Sequence, residues 1–110
     1  MKIFFVDESL ARSCNDDGAR ERRYGPDLAS VLRRRLSQID AADHLAELRR
    51  VPAIRLRTFS NDKLSVALGA TADLQMRPRE DPAPRLDDGS LHERAVRTLL
   101  ITDVLLAPAT

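Results

Sequence analysis

The sequence predicts one α+β domain, with an N-terminal strand and a block of helices packed on one face of an antiparallel sheet. Three observations predict it. The apolar run "KIFFV" at residues 2–6 is short and rich in β-favouring side chains. Apolar residues then recur at three- and four-residue spacing between Leu28 and Leu48. From Ile54 the period changes to two and holds to Arg77. The order of strand, helices and four further strands sets the helices on one side of a sheet. A chain of 110 residues suffices for one modest core, so residues 1–110 are expected to form a single domain.

Each element has its own signal. After the first strand, Ser9 offers a cap for a short helix, and "NDDG" at 15–18 reads as a turn. Gly25 breaks the chain. Pro26 suits a first helical position, and Asp27 complements the positive end of the helix dipole. Leu28, Val31, Leu32, Leu36 and Ile39 form one apolar stripe, with Arg33, Arg34 and Ser37 mostly away from it. Asp40 is placed to cap a second helix in which Ala41, Ala42, Leu45 and Leu48 face inward, and Pro52 ends it. In "IRLRTFS" Ile54, Leu56 and Thr58 point one way and Arg55, Arg57 and Phe59 the other. "LSVAL" and "DLQMRP" continue the alternation, with "SNDK" and "GAT" as turns. The result is a meander whose polar side carries Arg55, Arg57 and Arg77. A Pro- and Asp-rich loop spans 78–95. The strand predicted over 96–106 is apolar on both faces, which marks it as central, and "APAT" is a short tail.

Composition narrows the function classes. Hydrophobic content of 43% and charged content of 32% are those of a globular domain. Three Phe, one Tyr and no Trp argue against a protein that reads single strands by base stacking. The lone Cys14 excludes an internal disulfide and reads as a small buried apolar residue. The run at 3–6 is too short for a signal peptide or a membrane span, so a cytoplasmic protein with no membrane partner is expected. Residues 20–57 carry ten Arg against five acids, while the segments on either side are each net negative by two. That asymmetry fits an anionic partner on one face, or simply a solvated helix surface. No Gly-rich phosphate loop and no Cys/His cluster is present, so neither a cofactor nor a metal is expected. His44 and His92 lie far apart, and the carboxylates of "LDDG" and "NDDG" read as turn-shaping groups.

The words "SCNDDG", "RRYGPDLASVLRRRLSQIDAADHLAEL" and "RPREDPAPRLDDGSL", with the strand from Arg55 between the last two, together resemble the RelE/ParE toxin superfamily. The branch most resembled is that of HigB-like, or plasmid maintenance killer, proteins. The resemblance runs over nearly the whole chain and is specific as a set rather than in any one word. It implies a RelE-like domain and a bacterial type II toxin–antitoxin component. Such toxins are ribosome-dependent mRNA endonucleases (mRNA interferases) that use no metal and are silenced by a helix-turn-helix (HigA-like) antitoxin. Basic residues on the open sheet face would orient RNA and stabilise the charge of the phosphoryl transition state.

The resemblance assigns Arg55, Arg57, Lys63 and Arg77 as the catalytic or RNA-contacting set, and Arg33, Arg34 and Arg35 as a grip on ribosomal RNA phosphates. The match is eroded where the chemistry belongs. Arg57 stands where the family tends to carry His, and Asp62–Lys63 is the remnant of a longer basic loop. Ala72 and Asp73 replace Tyr and Arg, and the positions of the Asp-Tyr-His in which many relatives end fall near Ala107 and Pro108. The expectation is a toxin-family protein with weakened mRNA cleavage. The alternative is a catalytically inactive homologue that binds an antitoxin or RNA.

Overall fold

The computed structural model describes residues 1–106. Strand β1 (Lys2–Phe5) leads into helix α1 (Glu8–Asn15), a long helix α2 (Asp17–Ala41) and a short helix α3 (Leu45–Arg49). Strands β2 (Arg57–Thr58), β3 (Leu64–Leu68), β4 (Ala72–Pro78) and β5 (Thr98–Leu106) follow, with single 3-10 turns at Pro52–Ile54, Ser60–Asp62 and Glu93–Ala95. The sheet order is β1-β5-β4-β3-β2. The strand expected to be central is central, since β5 lies between β1 and β4 and its Leu99 and Ile101 are fully buried. The α+β class holds, but the sheet is mixed rather than antiparallel. β1 pairs with β5 in parallel, and the three helices and three strands between them form the crossover that a parallel pair requires.

The helix boundaries differ from the sequence reading for local reasons. Asp7, not Ser9, caps α1, its carboxylate accepting from the Leu10 N–H at 2.8 Å. The "NDDG" word is a junction between helices rather than a free turn: Asp16 closes α1, and its side chain accepts from the Ala19 N–H at 2.7 Å to open α2. The expected break is present, with Gly25 at φ +81 and Pro26 restarting the helix. Asp40 caps nothing. The chain stays helical to Ala41, and α3 starts behind His44, which makes no side-chain cap bond.

The core forms where the stripe meets the alternation. Leu32, Ile39, Leu45 and Leu48 close against Leu64, Val66, Leu74 and Met76. Leu28, Val31 and Leu36 are partly buried on its flank. One residue of the basic triplet belongs to this core side. Arg35 is only 6% exposed and donates to Ala67 O at 2.8 Å, Ala53 O at 3.0 Å and Gln38 Oε1 at 3.0 Å. It pins α2 to β3 and to the 3-10 turn before β2. Arg20 does the same at the α1–α2 junction, where its guanidinium donates twice to Cys14 O and once to Asp17. Buried charge of this kind persists only with its donors satisfied.

Candidate functional site

Strand alternation divides the sheet's side chains cleanly. Leu64, Val66, Leu74, Met76, Leu99 and Ile101 face the helices. Their neighbours face the other way, on a side that no helix covers. Register then fixes who stands beside whom. Leu64 pairs with Met76, and the Phe59 N–H donates to Lys63 O at 2.7 Å. Continued by one residue, this sets Phe59, Lys63 and Arg77 in a row across three strands. Arg77 pairs with Leu100, and Leu100 with Phe4 on β1, which completes the row. A second row holds Arg57, Ser65, Gln75 and Asp103. A third holds Ala67, Asp73 and Leu105. The ladder shifts at Gln75/Met76, where β5 carries one extra residue.

At the third-row end, the charges neutralise one another. Arg57 donates to Asp73 Oδ2 at 3.0 Å, with both side chains substantially exposed. The sequence alternation placed these two on one face, and they meet there. Arg55 lines the same cleft of about 590 Å³, together with Ala67, Ala70, Leu105 and Leu106. It does not lie on a strand, however. Pro52 opens a 3-10 turn, Arg55 closes it in the left-handed region (φ 50, ψ 56), and β2 is left with two residues. Ala72 faces the helix side, paired with Leu68 and Leu106 and 6% exposed. An aromatic there would enter the core rather than the open face.

The first-row end is different. Among the described residues no ion pair reaches Lys63, Arg77 or Arg79. The guanidinium of Arg79 lies over the Phe4 ring, 3.8 Å from its centroid. A polar pocket of about 200 Å³ opens beside Arg77, between Asn61 and Asp62 of the turn and Arg79 and Glu80 of the loop. Both turn residues hold φ of +61, a region that Asn and Asp tolerate better than other side chains. Asp62 is fixed by Arg85 at 2.5 Å. Burial alone would raise the Glu80 carboxyl. Donations from Thr98 Oγ1 and from the Arg97 N–H at 3.0 Å outweigh it and hold the group below its ordinary value.

The structure therefore separates the residues that the sequence grouped. Arg55 stands at one end of the open face and Lys63 and Arg77 at the other, while Arg57 lies in the row between, its guanidinium bonded to Asp73 and 5.7 Å from the Phe59 ring centroid. Arg33 and Arg34 are exposed on α2, and Arg35 is withdrawn from that surface. Burial, with Arg34 adjacent, lowers the Arg35 pKa. Cys14 is fully buried and its thiol is pushed up to about 11, mainly by burial, with Arg20 and Arg23 opposing, which leaves it no nucleophile at neutral pH. His92 lines a separate cleft of about 630 Å³ with Phe59, Leu86 and Leu91, whereas His44 precedes α3, so the two histidines share no site. Among the described residues no His, Cys, Asp and Glu side chains group to hold a metal, and no helix is long and apolar enough to cross a membrane. Ala107 and Pro108 lie outside the described residues.

Sequence reasoning missed Phe4, Ser65 and Arg79. The first two had a signal. "IFF" and "LSV" alternate, and Phe4 and Ser65 are the members opposite Ile3, Phe5, Leu64 and Val66. Arg79 had none, because its position depends on a loop. No protein-family model, no curated protein and no solved structure matches this chain.

Proposed function

We propose that this chain is a RelE/ParE-like toxin-family protein that contacts RNA through the open face of its sheet. It would be held by a helix-turn-helix antitoxin and cleave mRNA far less than a relative with the full catalytic set. One observation carries the reading: a sheet face left bare by the helices presents Lys63, Arg77 and Arg79, none of them in an ion pair among the described residues. Free cations on a bare face suit a polyanion, whose binding is dominated by phosphate contacts.

The weakened chemistry follows from what stands beside those cations. Cleavage by 2′-hydroxyl attack needs a base, an acid and donors for the developing charge. Each missing donor costs about a hundred-fold or more in rate, and a missing acid–base group on the order of a hundred- to ten-thousand-fold. Among the described residues no histidine or tyrosine stands in the three rows, and the one guanidinium in the central row is engaged by Asp73. Asp73 also repels phosphate there. The Arg57–Asp73 pair favours the alternative reading, an inactive homologue that binds RNA or an antitoxin, over a vigorous nuclease.

The test is induced expression with and without the adjacent gene, beside ribosome-dependent cleavage of a reporter mRNA. The expected result is salt-sensitive association with ribosomes or RNA and little cleavage. Vigorous cleavage would place the active groups elsewhere in the chain. Absence of any RNA or ribosome association at low salt would refute the reading as a whole.

A further inference from the structure

The two edges of the sheet end differently. β2 is two residues between 3-10 turns and offers no length for another strand. β1 runs over Lys2–Phe5 and pairs with β5 alone. The Lys2 N–H donates to Arg97 O at 3.2 Å and the Val6 N–H to Ile101 O at 3.0 Å, so Lys2, Phe4 and Val6 turn their backbone groups toward β5. Alternation turns the N–H and C=O of Ile3 and Phe5 outward, where nothing among the described residues bonds to them. An edge with unpaired donors and acceptors is a template for a further strand.

The helix layer stops short of this edge. Leu99 and Ile101 on β5 are fully buried beneath it, whereas their register partners on β1, Ile3 and Phe5, are only partly buried. A groove of about 460 Å³ lies there, with Ile3, Phe5 and Leu36 as apolar lining and Arg33, Ser37 and Asp40 of α2 beside them. The four α2 residues follow the spacing of one helix face. Arg33 and Asp40 are exposed, and neither is in an ion pair among the described residues. They stand about 10 Å apart along the helix. The Met1 ammonium donates to Ile39 O at 3.2 Å and to Asp40 O at 3.0 Å. Asp40 is therefore at the start of β1, and Arg33, two turns earlier in α2, is at the other end of the groove.

We propose that a second copy of this chain docks on this edge, β1 against β1 in antiparallel about a two-fold axis, so that two five-stranded sheets become one. This docking is independent of RNA contact. The register that uses both outward-facing residues pairs Ile3 with Phe5 of the partner subunit and Phe5 with Ile3 of the partner subunit. Each pair exchanges both of its backbone bonds, and Phe4 falls opposite Phe4 of the partner subunit in the closer, non-hydrogen-bonded position. The apolar side chains of each strand then cover those of the other on the helix side. The charges select a copy over a foreign strand. Antiparallel docking brings the start of one β1 to the end of the other, so Asp40 of each chain faces the Arg33 end of its partner, twice over. A two-fold copy has that complementarity by construction.

The test is sedimentation velocity on the full chain from low micromolar to sub-millimolar concentration, beside hydrogen exchange. The parent should show a reversible monomer–dimer equilibrium, with the Ile3 and Phe5 amides exchanging more slowly as the dimer forms. Ile3→Pro removes one outward N–H, a change an edge strand tolerates, and should leave a folded monomer by circular dichroism. Asp40→Arg sets like charges face to face and should weaken the dimer about ten-fold or more. Arg33→Asp combined with Asp40→Arg restores opposite charges and should return it to within about three-fold of the parent. A parent chain that is monomeric throughout overturns the proposal. So does a dimer that survives Asp40→Arg or a folded Ile3→Pro, and so does an Asp40→Arg monomer that the charge swap fails to rescue. Should Ile3→Pro fail to fold, the two exposed charges on α2 decide the matter alone.

Discussion

Toward one end of the open face the Arg57 guanidinium leans from the central row to within 3.0 Å of Asp73, above a cleft walled by Leu105 and Leu106. At the other, Lys63 and Arg77 stand in one row with no carboxylate on them, and Arg79 rests on Phe4. The first end lies in the segment richest in arginine, the second in a segment that is net negative. Linear charge density therefore points away from the cations that carry no carboxylate. Within the basic segment, Arg20 and Arg35 are buried on backbone carbonyls, Arg49 is paired with Glu93, and Arg57 with Asp73. What attracts a polyanion is the number of cations left without a partner on one surface, and a running sum along the chain does not count it.

The largest effect that separates the ends is on stability. Arg35 fastens Ala67 O and Ala53 O beneath the Arg55/Arg57 end. Arg35→Met should destabilise the fold by about 3 kcal/mol, from the bonds of a charged donor to buried carbonyls. Arg34→Gln should stay within about 0.5 kcal/mol. Urea melts of the two variants check this, and equal melts would mean that Arg35 is a surface residue after all.

The next effect is on affinity. Asp73→Asn releases Arg57 and removes a like charge from the path of phosphate. Hexauridylate should bind several-fold tighter, with the salt slope steeper by about one counterion. An unchanged slope would show that the Arg57 end takes no part in binding. Smaller still is the response of α2. Arg33 and Arg34 lie on the helix side of the molecule, away from the open face. Gln at both positions should leave hexauridylate affinity within about two-fold and weaken the salt-sensitive part of ribosome association. A ten-fold loss with the oligonucleotide would move the interface to α2.

The smallest effect concerns pH. Hydrogen bonds from Thr98 and Arg97 tie Glu80 beside the Arg79 end, and its folded pKa lies below the ordinary 4.5. A depressed carboxylate contributes stability that is fully present above its unfolded pKa and is lost as pH falls through the folded one. The wild type should therefore lose a little stability on acidification below about pH 4.5, and Glu80→Gln should lose less over the same window. Parallel acid titrations of the two proteins would show that Glu80 holds nothing.

Much of this was legible in the sequence, and the failures share a physical cause. Period two placed β3 and β4 and put Arg57 and Asp73 on one face, though not their ion pair, and an apolar run without alternation identified β5 as central. Period 3.6 also contained the Arg35 result, since Leu28, Leu32, Arg35 and Ile39 lie on one stripe. The rule that arginine faces water overrides the period at Arg35, where the Ala67 and Ala53 carbonyls accept from its guanidinium. Arg55 departs from the alternation that runs through it because the 3-10 turn opened by Pro52 leaves it in the left-handed region, off the strand. The parallel pairing of β1 and the position of Arg79 depend on contacts distant in sequence, which no local pattern encodes.

The most direct test of the central claim is to ask where RNA touches. Hexauridylate carrying 4-thiouridine, crosslinked to the full chain by long-wave ultraviolet light and mapped by mass spectrometry, should leave adducts around Lys63, Arg77 and Arg79. Adducts confined to Arg33 and Arg34 on α2, or to the cleft of Arg55 and Leu106, would contradict it.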